Sequence, residues 1–306
     1  MISQDLEDRE SRDVRLSNPP FSEPLGVTLP SSDLQFTGSL VAANDLQRLG
    51  QGRQAELFTW VPGRVVKLFR QPGAIDAARF EADAMRLLSS TDIPMPQFLD
   101  TVTVEGRPGI VMERLVGPDQ LSALGRRPWK IWSVGTVLGR LHAQLHAVTA
   151  PEGLPSLKPL VRQDIEVSEW VPSDLKAIAY ADLDHLPDGA AVCHWDFHPA
   201  NVIETSDGPR IIDWAGVRRG HRLADVARTL MIIRGGALPP GAPLLVRWFA
   251  ALARSLLAWR YLREYRRLLP FADSELKAWT RVNLISRLSH GIPEERHHLL
   301  AMIAAC

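Results

Sequence analysis

The sequence contains His194-Trp195-Asp196-Phe197-His198-Pro199-Ala200-Asn201 and, after a short turn, Ile211-Ile212-Asp213-Trp214. Asp196 and Asn201 lie five positions apart, which is the separation of Asp and Asn in a known catalytic-loop pattern, His-Arg-Asp-x-x-x-x-Asn. Trp195 occupies the position of the Arg in that pattern. Phosphoryl transfer requires a carboxylate that orients a hydroxyl, together with an Asn and a second Asp that hold magnesium. The order and spacing of Asp196, Asn201 and Asp213 indicate that chemistry.

Composition limits the classes of protein to consider. A chain of 306 residues exceeds the usual size of a single core, so two lobes are expected. An apolar content of 45% and a charged content of 23% are typical of a soluble globular protein. Lys and Arg number 35, as do Asp and Glu. This balance gives no electrostatic reason to expect nucleic acid or a membrane as partner.

The sequence also indicates a cellular compartment. Cys193 and Cys306 form neither a metal-binding nor a disulfide pattern. The first ten residues have neither a basic start nor an apolar run, so no signal peptide is expected. No stretch reaches the roughly 18 apolar residues of a membrane span. These observations favour a cytoplasmic protein, and they leave its oligomeric state open.

Patterning divides the chain into three parts. Residues 1–39 are rich in Ser, Pro and acidic residues and predict a loose arm. Residues 40–115 predict a small antiparallel β lobe with one helix, and residues 116–306 a larger helical lobe. The predicted strands are 46–50, 55–61, 64–69, 97–104 and 109–115. The predicted helices are 75–88, 129–148, 173–183, 223–233, 242–269, 273–289 and 293–304. Residues 151–159 are expected to be a loop, and Ser173-Asp174 a helix cap.

A glycine segment and a lysine lie in the small lobe. Gly50-x-Gly52 lies between two predicted strands, where glycines let backbone amides approach phosphate oxygens, although a turn alone would also explain them. Lys67 lies in an apolar strand, as does the kinase lysine that holds the α- and β-phosphates. A solvent-facing lysine on an edge strand is the alternative. Glu81 on the next helix is the expected ion-pair partner, with Asp83 as a competitor.

A different reading of the central stretch is a metallohydrolase site, with His194-x-Asp196-x-His198 as ligands. That reading needs further ligands at fixed spacings and leaves Lys67 without a role. His142 and His146 have helical spacing, but Ala143 stands where a zinc-protease helix has Glu. We expect these two histidines to pack between helices.

These segments together resemble the aminoglycoside phosphotransferase and choline kinase-like family of small-molecule kinases, over residues 40–290. The resemblance is carried by Gly50-x-Gly52, Lys67, Ile93-Pro94-Met95-Pro96, the run from Val111 to Gly117, Leu138-Gly139-Arg140-Leu141-His142, His194-x-Asp196-x-His198-Pro199-x-Asn201 and Ile212-Asp213-Trp214. It implies an α+β fold with two lobes like those of protein kinases, and ATP and Mg²⁺ as cofactors. The family's usual Gly after Pro is Ala200 here, and its usual Gly or Asn before the catalytic Asp is Trp195.

The resemblance also implies residue roles. Asp196 would be the catalytic base, and Asn201 and Asp213 the magnesium ligands. Gly50, Gly52, Lys67 and Glu81 would serve the nucleotide phosphates. Met112, Glu113 and Leu115 would form the hinge that binds adenine. Asp225 matches the family's Asp at the start of a helix, which supports the catalytic loop.

The length after Asp213 separates protein kinases from small-molecule kinases. Protein kinases carry a long activation segment that ends in Ala-Pro-Glu and builds a peptide platform. Here eleven residues separate Asp213 from Asp225, where the next helix is already predicted. We therefore expect an enzyme that moves the γ-phosphoryl group of ATP to a small-molecule hydroxyl. A pseudokinase that binds nucleotide without turnover is the alternative from another class.

The acceptor is less defined, and an aminoglycoside-type antibiotic and a metabolite are both open. A polycationic aminoglycoside requires a pocket lined by Asp and Glu. Residues 240–281 are instead rich in basic side chains: Arg247, Arg254, Arg260, Arg263, Arg266, Arg267, Lys277 and Arg281. A solvated helix face would explain these residues, whereas arginines that line the cleft would favour a neutral or anionic acceptor.

Overall fold

The computed structural model describes residues 33–38, 42–52, 54–71, 74–235 and 243–306. Most of the predicted arm, residues 1–32 and 39, lies outside the described residues. In the described part of the chain, no helix is both long and apolar enough to cross a membrane.

A six-stranded sheet and one helix form the small lobe. Its elements are β1 (Thr37–Gly38), β2 (Arg48–Gln51), β3 (Ala55–Thr59), β4 (Arg64–Phe69), α1 (Ile75–Leu88), β5 (Phe98–Val104) and β6 (Arg107–Glu113). The strand order is β1-β5-β6-β4-β3-β2. Every neighbouring pair is antiparallel except β1 and β5, which are parallel. The sequence predicts a purely antiparallel sheet because the pairing of β1, at the end of the predicted arm, has no local signal.

Alternation along β4 explains how this lobe directs its lysine. Val66 and Leu68 pack in a cluster on one face of the sheet, whereas Val65 and Phe69 face the main core. Successive side chains of a strand point to opposite faces, so Lys67 shares the face of Val65 and Phe69. Helix α1 packs on that face and buries Glu81.

The large lobe holds the remaining elements. Its helices are α2 (Gln120–Arg126), α3 (Ile131–Ala147), α4 (Leu157–Val167) and α5 (Ser173–His185), followed after four short strands by α6 (Arg222–Gly235), α7 (Leu244–Leu268), α8 (Asp273–Leu288) and α9 (Pro293–Ala304). The strands are β7 (Ala191–Cys193), β8 (Val202–Thr205), β9 (Gly208–Ile211) and β10 (Arg218–Gly220). β7 pairs with β10, and β8 pairs with β9, both antiparallel. The predicted two-lobed α+β fold is confirmed.

Close packing of α3 on α7 is the main helix contact of this lobe. Gly135 faces Leu257 and Arg260, whereas Gly139 faces Tyr261 and Glu264, so the two helices run in the same direction. A Cβ at Gly139 would lie 2.7 Å from the carbonyl oxygen of Tyr261. Only glycine permits this approach without displacement of a backbone.

Two local predictions for the large lobe are wrong, and one helix was not predicted. Helix α4 begins at Leu157, inside the predicted loop 151–159, because Pro159 lies in the first turn, where its missing N–H is not needed. Ser173 is the first residue of α5, and Pro172 occupies the cap position. Helix α2 was not predicted, although Asp119 caps it by accepting a hydrogen bond of 2.8 Å from the N–H of Ser122.

Candidate active site

A cavity of about 650 Å³ lies between the two lobes. All ten residues that the sequence predicts for the site line it: Gly50, Gly52, Lys67, Glu81, Met112, Glu113, Leu115, Asp196, Asn201 and Asp213. The two that are farthest apart in the chain, Gly50 and Asp213, are separated by 163 positions. The fold thus brings the two halves of the predicted site together.

His194 fixes the central loop to the segment that carries Asp213. Its Nε2 atom lies 3.0 Å from the carbonyl oxygen of Ile212, which can only accept, so Nε2 carries the proton. Its Nδ1 atom then accepts a hydrogen bond of 3.3 Å from the N–H of Asp196. Burial lowers the pKa of His194, which favours this neutral form. The ring therefore sets the spacing between Asp196 and Asp213.

The backbone is left-handed at Trp195, which precedes Asp196, and at Asp213. Trp195 has a φ of 67° and Asp213 a φ of 67°, values that residues with a side chain rarely adopt. Such a conformation costs about 1–2 kcal/mol and persists where the surroundings hold it in place. At Trp195 the surroundings include Asp225, whose carboxylate accepts hydrogen bonds of 2.5 Å from the N–H of His194 and 2.9 Å from the N–H of Trp195. Asp225 supports the loop as predicted.

Asp196 lines the cavity with its carboxylate partly exposed. The Nδ2 atom of Asn201 donates to the backbone oxygen of Asp196 at 2.9 Å and to the Oδ2 atom of Asp196 at 3.3 Å. Nε2 of His198 lies 3.6 Å from Oδ2. Burial acts to raise the pKa of Asp196, but His198, His194 and Arg228 outweigh it and hold the pKa below its usual value. The carboxylate is therefore ionised at neutral pH and can accept a proton.

Lys67 joins the two lobes. Its Nζ atom donates to both carboxylate oxygens of Glu81 at 2.8 Å and to Oδ1 of Asp213 at 2.8 Å. The predicted pair of Lys67 with Glu81 is confirmed, whereas Asp83 contacts Arg86 instead. Burial alone would lower the pKa of Lys67, but the charges of Asp213 and Glu81 raise it. The ammonium group is thus permanently charged and faces the cavity.

The oxygen atoms around Asp213 fit a magnesium ion. The attraction of Lys67 lowers the pKa of Asp213, so its carboxylate is ionised, and 44% of this side chain is exposed to the cavity. The Nδ2 atom of Asn201 is engaged by Asp196, so the amide presents Oδ1 as its ligand atom. Carboxylate and amide oxygens are ligands that Mg²⁺ accepts, usually beside water and phosphate oxygens. Asn201 and Asp213 are the residues that would hold the ion.

The glycine segment and the predicted hinge, both from the small lobe, also line the cavity. The N–H of Gly52 donates a hydrogen bond of 2.8 Å to the carbonyl oxygen of Ala55, which closes the turn between β2 and β3. Neither Gly50 nor Gly52 has a positive φ. A Cβ at Gly50 would meet no atom within 4 Å. Backbone conformation therefore does not explain these glycines, and the open space beside Gly50 is compatible with a ligand that approaches closely.

The histidines of α3 form a buried network instead of a metal site. Nε2 of His142 lies 3.2 Å and Nε2 of His146 lies 3.3 Å from Oδ2 of Asp225, and their Nδ1 atoms contact the hydroxyl groups of Tyr261 and Tyr265. Among the described residues this is the one cluster of three His, Cys, Asp or Glu side chains with convergent ligand atoms. Its hydrogen bonds account for each ring nitrogen, so the predicted packing role is confirmed.

The metallohydrolase alternative requires His194 and His198 to direct nitrogen atoms at one ion together with Asp196. Both nitrogen atoms of His194 are bonded to the backbone, and Nδ1 of His198 accepts from the N–H of Ala200 at 3.2 Å. The three side chains are also absent from the convergent metal-ligand cluster found among the described residues. These directions argue against that alternative.

Sequence reasoning missed the residues at the far end of the cavity. Arg228, Arg234, Arg287 and Glu295 line it there, on α6, α8 and α9. Arg228 lies one helical turn after Asp225, and this spacing alone could have indicated that the two side chains share a face of α6. The basic residues of the segment 240–281, for which the sequence left a solvated helix face and a cleft lining open, are not among the described residues that line the cavity. Several of them bind acidic partners elsewhere: Arg260 and Arg267 contact Glu264, Arg266 contacts Asp273, and Arg281 contacts Asp182.

The two-lobed fold, with a lysine, two aspartates and an asparagine facing one interlobe cavity, defines the kinase-like class of phosphotransferases. Residues 45–271 match the model of the phosphotransferase enzyme family. The chain belongs to this family, which confirms both the resemblance found in the sequence and the predicted class of enzyme. A comparison with curated proteins finds no match.

Solved structures share the fold at low sequence identity. Amicoumacin kinase hAmiN, in complex with AMP-PNP, Ca²⁺ and Ami, is 13% identical, with 88% of this chain and 89% of that chain covered and a TM-score of 0.55. Aminoglycoside-3'-phosphotransferase of type VIII is 20% identical, with coverage of 80% and 93% and a TM-score of 0.54. The streptomycin-ATP-APH(2")-IIa ternary complex is 14% identical, with coverage of 85% and 91% and a TM-score of 0.53.

Proposed function

We propose that this protein is a magnesium-dependent kinase that transfers the γ-phosphoryl group of ATP to a hydroxyl group of a small molecule. The observation that carries the proposal is the convergence of Lys67, Asp196, Asn201 and Asp213 on one interlobe cavity. The residue types are those that phosphoryl transfer uses, and the Lys67–Glu81 ion pair already has the arrangement of an active kinase.

The proposed roles follow from the contacts. Residues 40–115 hold the nucleotide, with its adenine against Met112, Glu113 and Leu115 and its phosphates beneath Gly50 and Gly52. Lys67 binds the phosphates as a fixed positive charge, and Glu81 keeps it in place. Residues 116–306 supply the acceptor side. Asn201 and Asp213 would hold Mg²⁺, which neutralises charge on the phosphate oxygens when it is bound.

Asp196 is the proposed catalytic residue. Its carboxylate is ionised and faces the cavity beside the proposed metal ligands, so it can orient the attacking hydroxyl and accept its proton. His198 and Asn201 hold that carboxylate from two directions. A fixed base next to the phosphates lowers the barrier chiefly through position and orientation.

A small acceptor is supported by the chain after Asp213. This segment contains one short helical turn, Trp214–Gly216, and strand β10 before α6 begins at Arg222. No segment there is long enough to form a platform for a peptide. The solved structures with the same fold include kinases named for amicoumacin and for aminoglycosides, which is consistent with a small-molecule acceptor.

The proposal is tested by following a heavy-oxygen label from the γ-phosphoryl group of ATP. The purified full chain is incubated with labelled ATP, Mg²⁺ and a library of hydroxyl compounds, and the products are analysed by mass spectrometry. We expect labelled phosphate esters that form only with Mg²⁺ present. Tight nucleotide binding without any labelled ester in the library would favour the pseudokinase instead.

A variant series tests the proposed metal site separately. Asp213→Ala should abolish the Mg²⁺ dependence of ATP affinity in calorimetry, because the variant lacks the ionised ligand. Asp207→Ala, in the exposed turn between β8 and β9, is the matched control and should bind MgATP as the wild type does. Retention of Mg²⁺-dependent affinity in Asp213→Ala would refute the assignment.

A further inference from the structure

Helices α6, α8 and α9 form part of the cavity wall, and we call this part, together with Asp196, the acceptor end. Its apolar lining consists of Met231, Ile232, Leu299 and Met302. Flexible methionine side chains adapt to irregular apolar shapes. This part of the cavity therefore suits an acceptor with an apolar body.

The charged groups of the acceptor end are mainly cationic. Arg228, Arg234 and Arg287 line it, whereas the carboxylates among its described lining residues are those of Asp196 and Glu295. Three positive charges thus face two negative charges, and one of the latter belongs to the proposed catalytic base. An acceptor with several ammonium groups would meet net repulsion here.

Glu295 is already paired with a cation of the protein, and Asp196 lies in the field of another. Glu295 accepts hydrogen bonds of 2.8 and 2.9 Å from Arg287, in a two-point pair that links α8 to α9. Asp196 lies in the field of Arg228, whose guanidinium is buried and rests 5.2 Å from the centre of the Trp195 ring. A polycation would have to compete with Arg287 for Glu295, and breaking such a partly buried ion pair is costly.

An anion would instead add a partner for this end. Arg228 and Arg287 are close enough for the charge of Arg287 to contribute to the lowered pKa of Arg228, after burial as the main cause. Arg234 is exposed at the end of the same helix as Arg228. Planar guanidinium groups bind carboxylate and phosphate groups in two-point contacts. The net positive charge of the three arginines would attract an anionic group of the acceptor to this end.

We propose that the acceptor is a hydroxyl compound with an apolar body and an anionic group, which the arginines of the acceptor end bind while the hydroxyl lies at Asp196. This inference rests on the proposed kinase function and specifies its substrate class. It disfavours polycationic aminoglycosides as acceptors.

The test uses the full chain with labelled ATP and Mg²⁺ and three separate acceptor pools. One pool holds aliphatic and aromatic hydroxy acids, one holds their uncharged methyl esters, and one holds amino alcohols and aminoglycosides. We expect labelled esters from the acid pool. Labelled esters from the other pools alone would overturn this inference and leave the kinase function standing, whereas no ester from any pool would count against both.

A charge-reversal variant tests the same inference at a named position. Arg234→Glu should raise the KM for the acceptor, the hydroxy acid that yields a labelled ester, about ten-fold or more. The kcat and the KM for ATP should change little. Arg247→Glu, on the exposed first half of α7 and away from the cavity, is the matched control and should change neither constant. An unchanged or lower acceptor KM in Arg234→Glu would overturn the proposal.

Discussion

The backbone N–H of Trp195 donates a hydrogen bond of 2.9 Å to the carboxylate of Asp225, thirty residues later in the chain. The same buried carboxylate also contacts His142, His146 and the N–H of His194. It thereby holds the left-handed Trp195 and sets the direction of the next residue, Asp196. A group without contact to the cavity thus positions the group that is proposed to do the chemistry.

Replacement of Asp225 by Asn should therefore affect both stability and activity. Asp225 faces only donors, so an amide would place its own NH₂ against one of them and leave a buried N–H unpaired. We expect Asp225→Asn to lower the free energy of unfolding by about 3 kcal/mol, as measured by urea denaturation. Asp174→Asn, at an exposed position of α5, should lower it by less than about 0.5 kcal/mol. Equal stabilities of the two variants would show that the network is dispensable.

Glu81 should matter for nucleotide affinity while its neighbour Asp83 does not. Glu81→Gln removes the charge that holds Lys67 and leaves the lysine to Asp213 alone. We expect the KM for ATP to rise about ten-fold in steady-state kinetics, since a charge-assisted contact is worth roughly 1.5 kcal/mol or more. Asp83→Asn is the control, because its Oδ1 contacts Arg86 and not Lys67. A similar rise in both variants would argue for a general effect on α1.

The buried histidines should make the protein less stable in mild acid. Burial is the main cause that lowers the pKa of His146 to about 3, and it also lowers the pKa of His142 and His194. An unfolded histidine has a pKa of about 6.5, so below that pH the unfolded state binds more protons than the folded state. Stability therefore falls as the pH drops through 6.5. His146 should contribute about 1.4 kcal/mol of this loss between about pH 7.5 and 5.5.

His146→Gln tests this contribution. The variant should lose about 1.4 kcal/mol less than the wild type over the same pH interval, although it is less stable at pH 7.5 because the contact with Asp225 is weakened. His297→Gln, on the exposed face of α9, is measured beside it as the matched control. Urea denaturation at several pH values measures both. An unaltered pH dependence in His146→Gln would contradict the assignment.

Two helix glycines should respond in opposite ways to Ala. Gly139→Ala would place a methyl group 2.7 Å from the carbonyl oxygen of Tyr261 and push α3 from α7, so we expect a loss of about 2 kcal/mol in the free energy of unfolding. Gly125→Ala, in α2, would meet no atom within 4 Å and should stabilise by about 0.5–1 kcal/mol. Thermal denaturation of the two variants decides whether helix contact or helix propensity governs each position.

The parts of the site that were predictable from the sequence are those with a fixed local spacing. Asp196 and Asn201 share one loop, and the partner of Lys67 follows from strand alternation and one helix face. Arg287 and Glu295 were not predictable, because they reach the cavity through the packing of α8 and α9, which has no local signature. Arg228 was partly predictable, since its spacing from Asp225 indicates the face of α6 on which its side chain lies.

In the fold as well, elements with a local sequence pattern were predictable and those that depend on distant contacts were not. Helix α1 was predicted with the bounds that the structure has, because its apolar positions recur with helical spacing. Helix α4 was missed because Pro155 and Pro159 suggested a loop, although a proline in the first turn is compatible with a helix. The pairing of β1 with β5 depends on residues more than sixty positions apart and has no local signal.

The central claim is that Asp196 is the base in transfer of phosphate from ATP, and turnover by Asp196→Asn tests it most directly. Asp207→Asn in the exposed β8–β9 turn is measured beside it, and ATP affinity is determined for both. We predict that Asp196→Asn lowers kcat by about a hundred- to ten-thousand-fold and still binds ATP, whereas Asp207→Asn keeps the wild-type rate. A wild-type kcat in Asp196→Asn would contradict the claim.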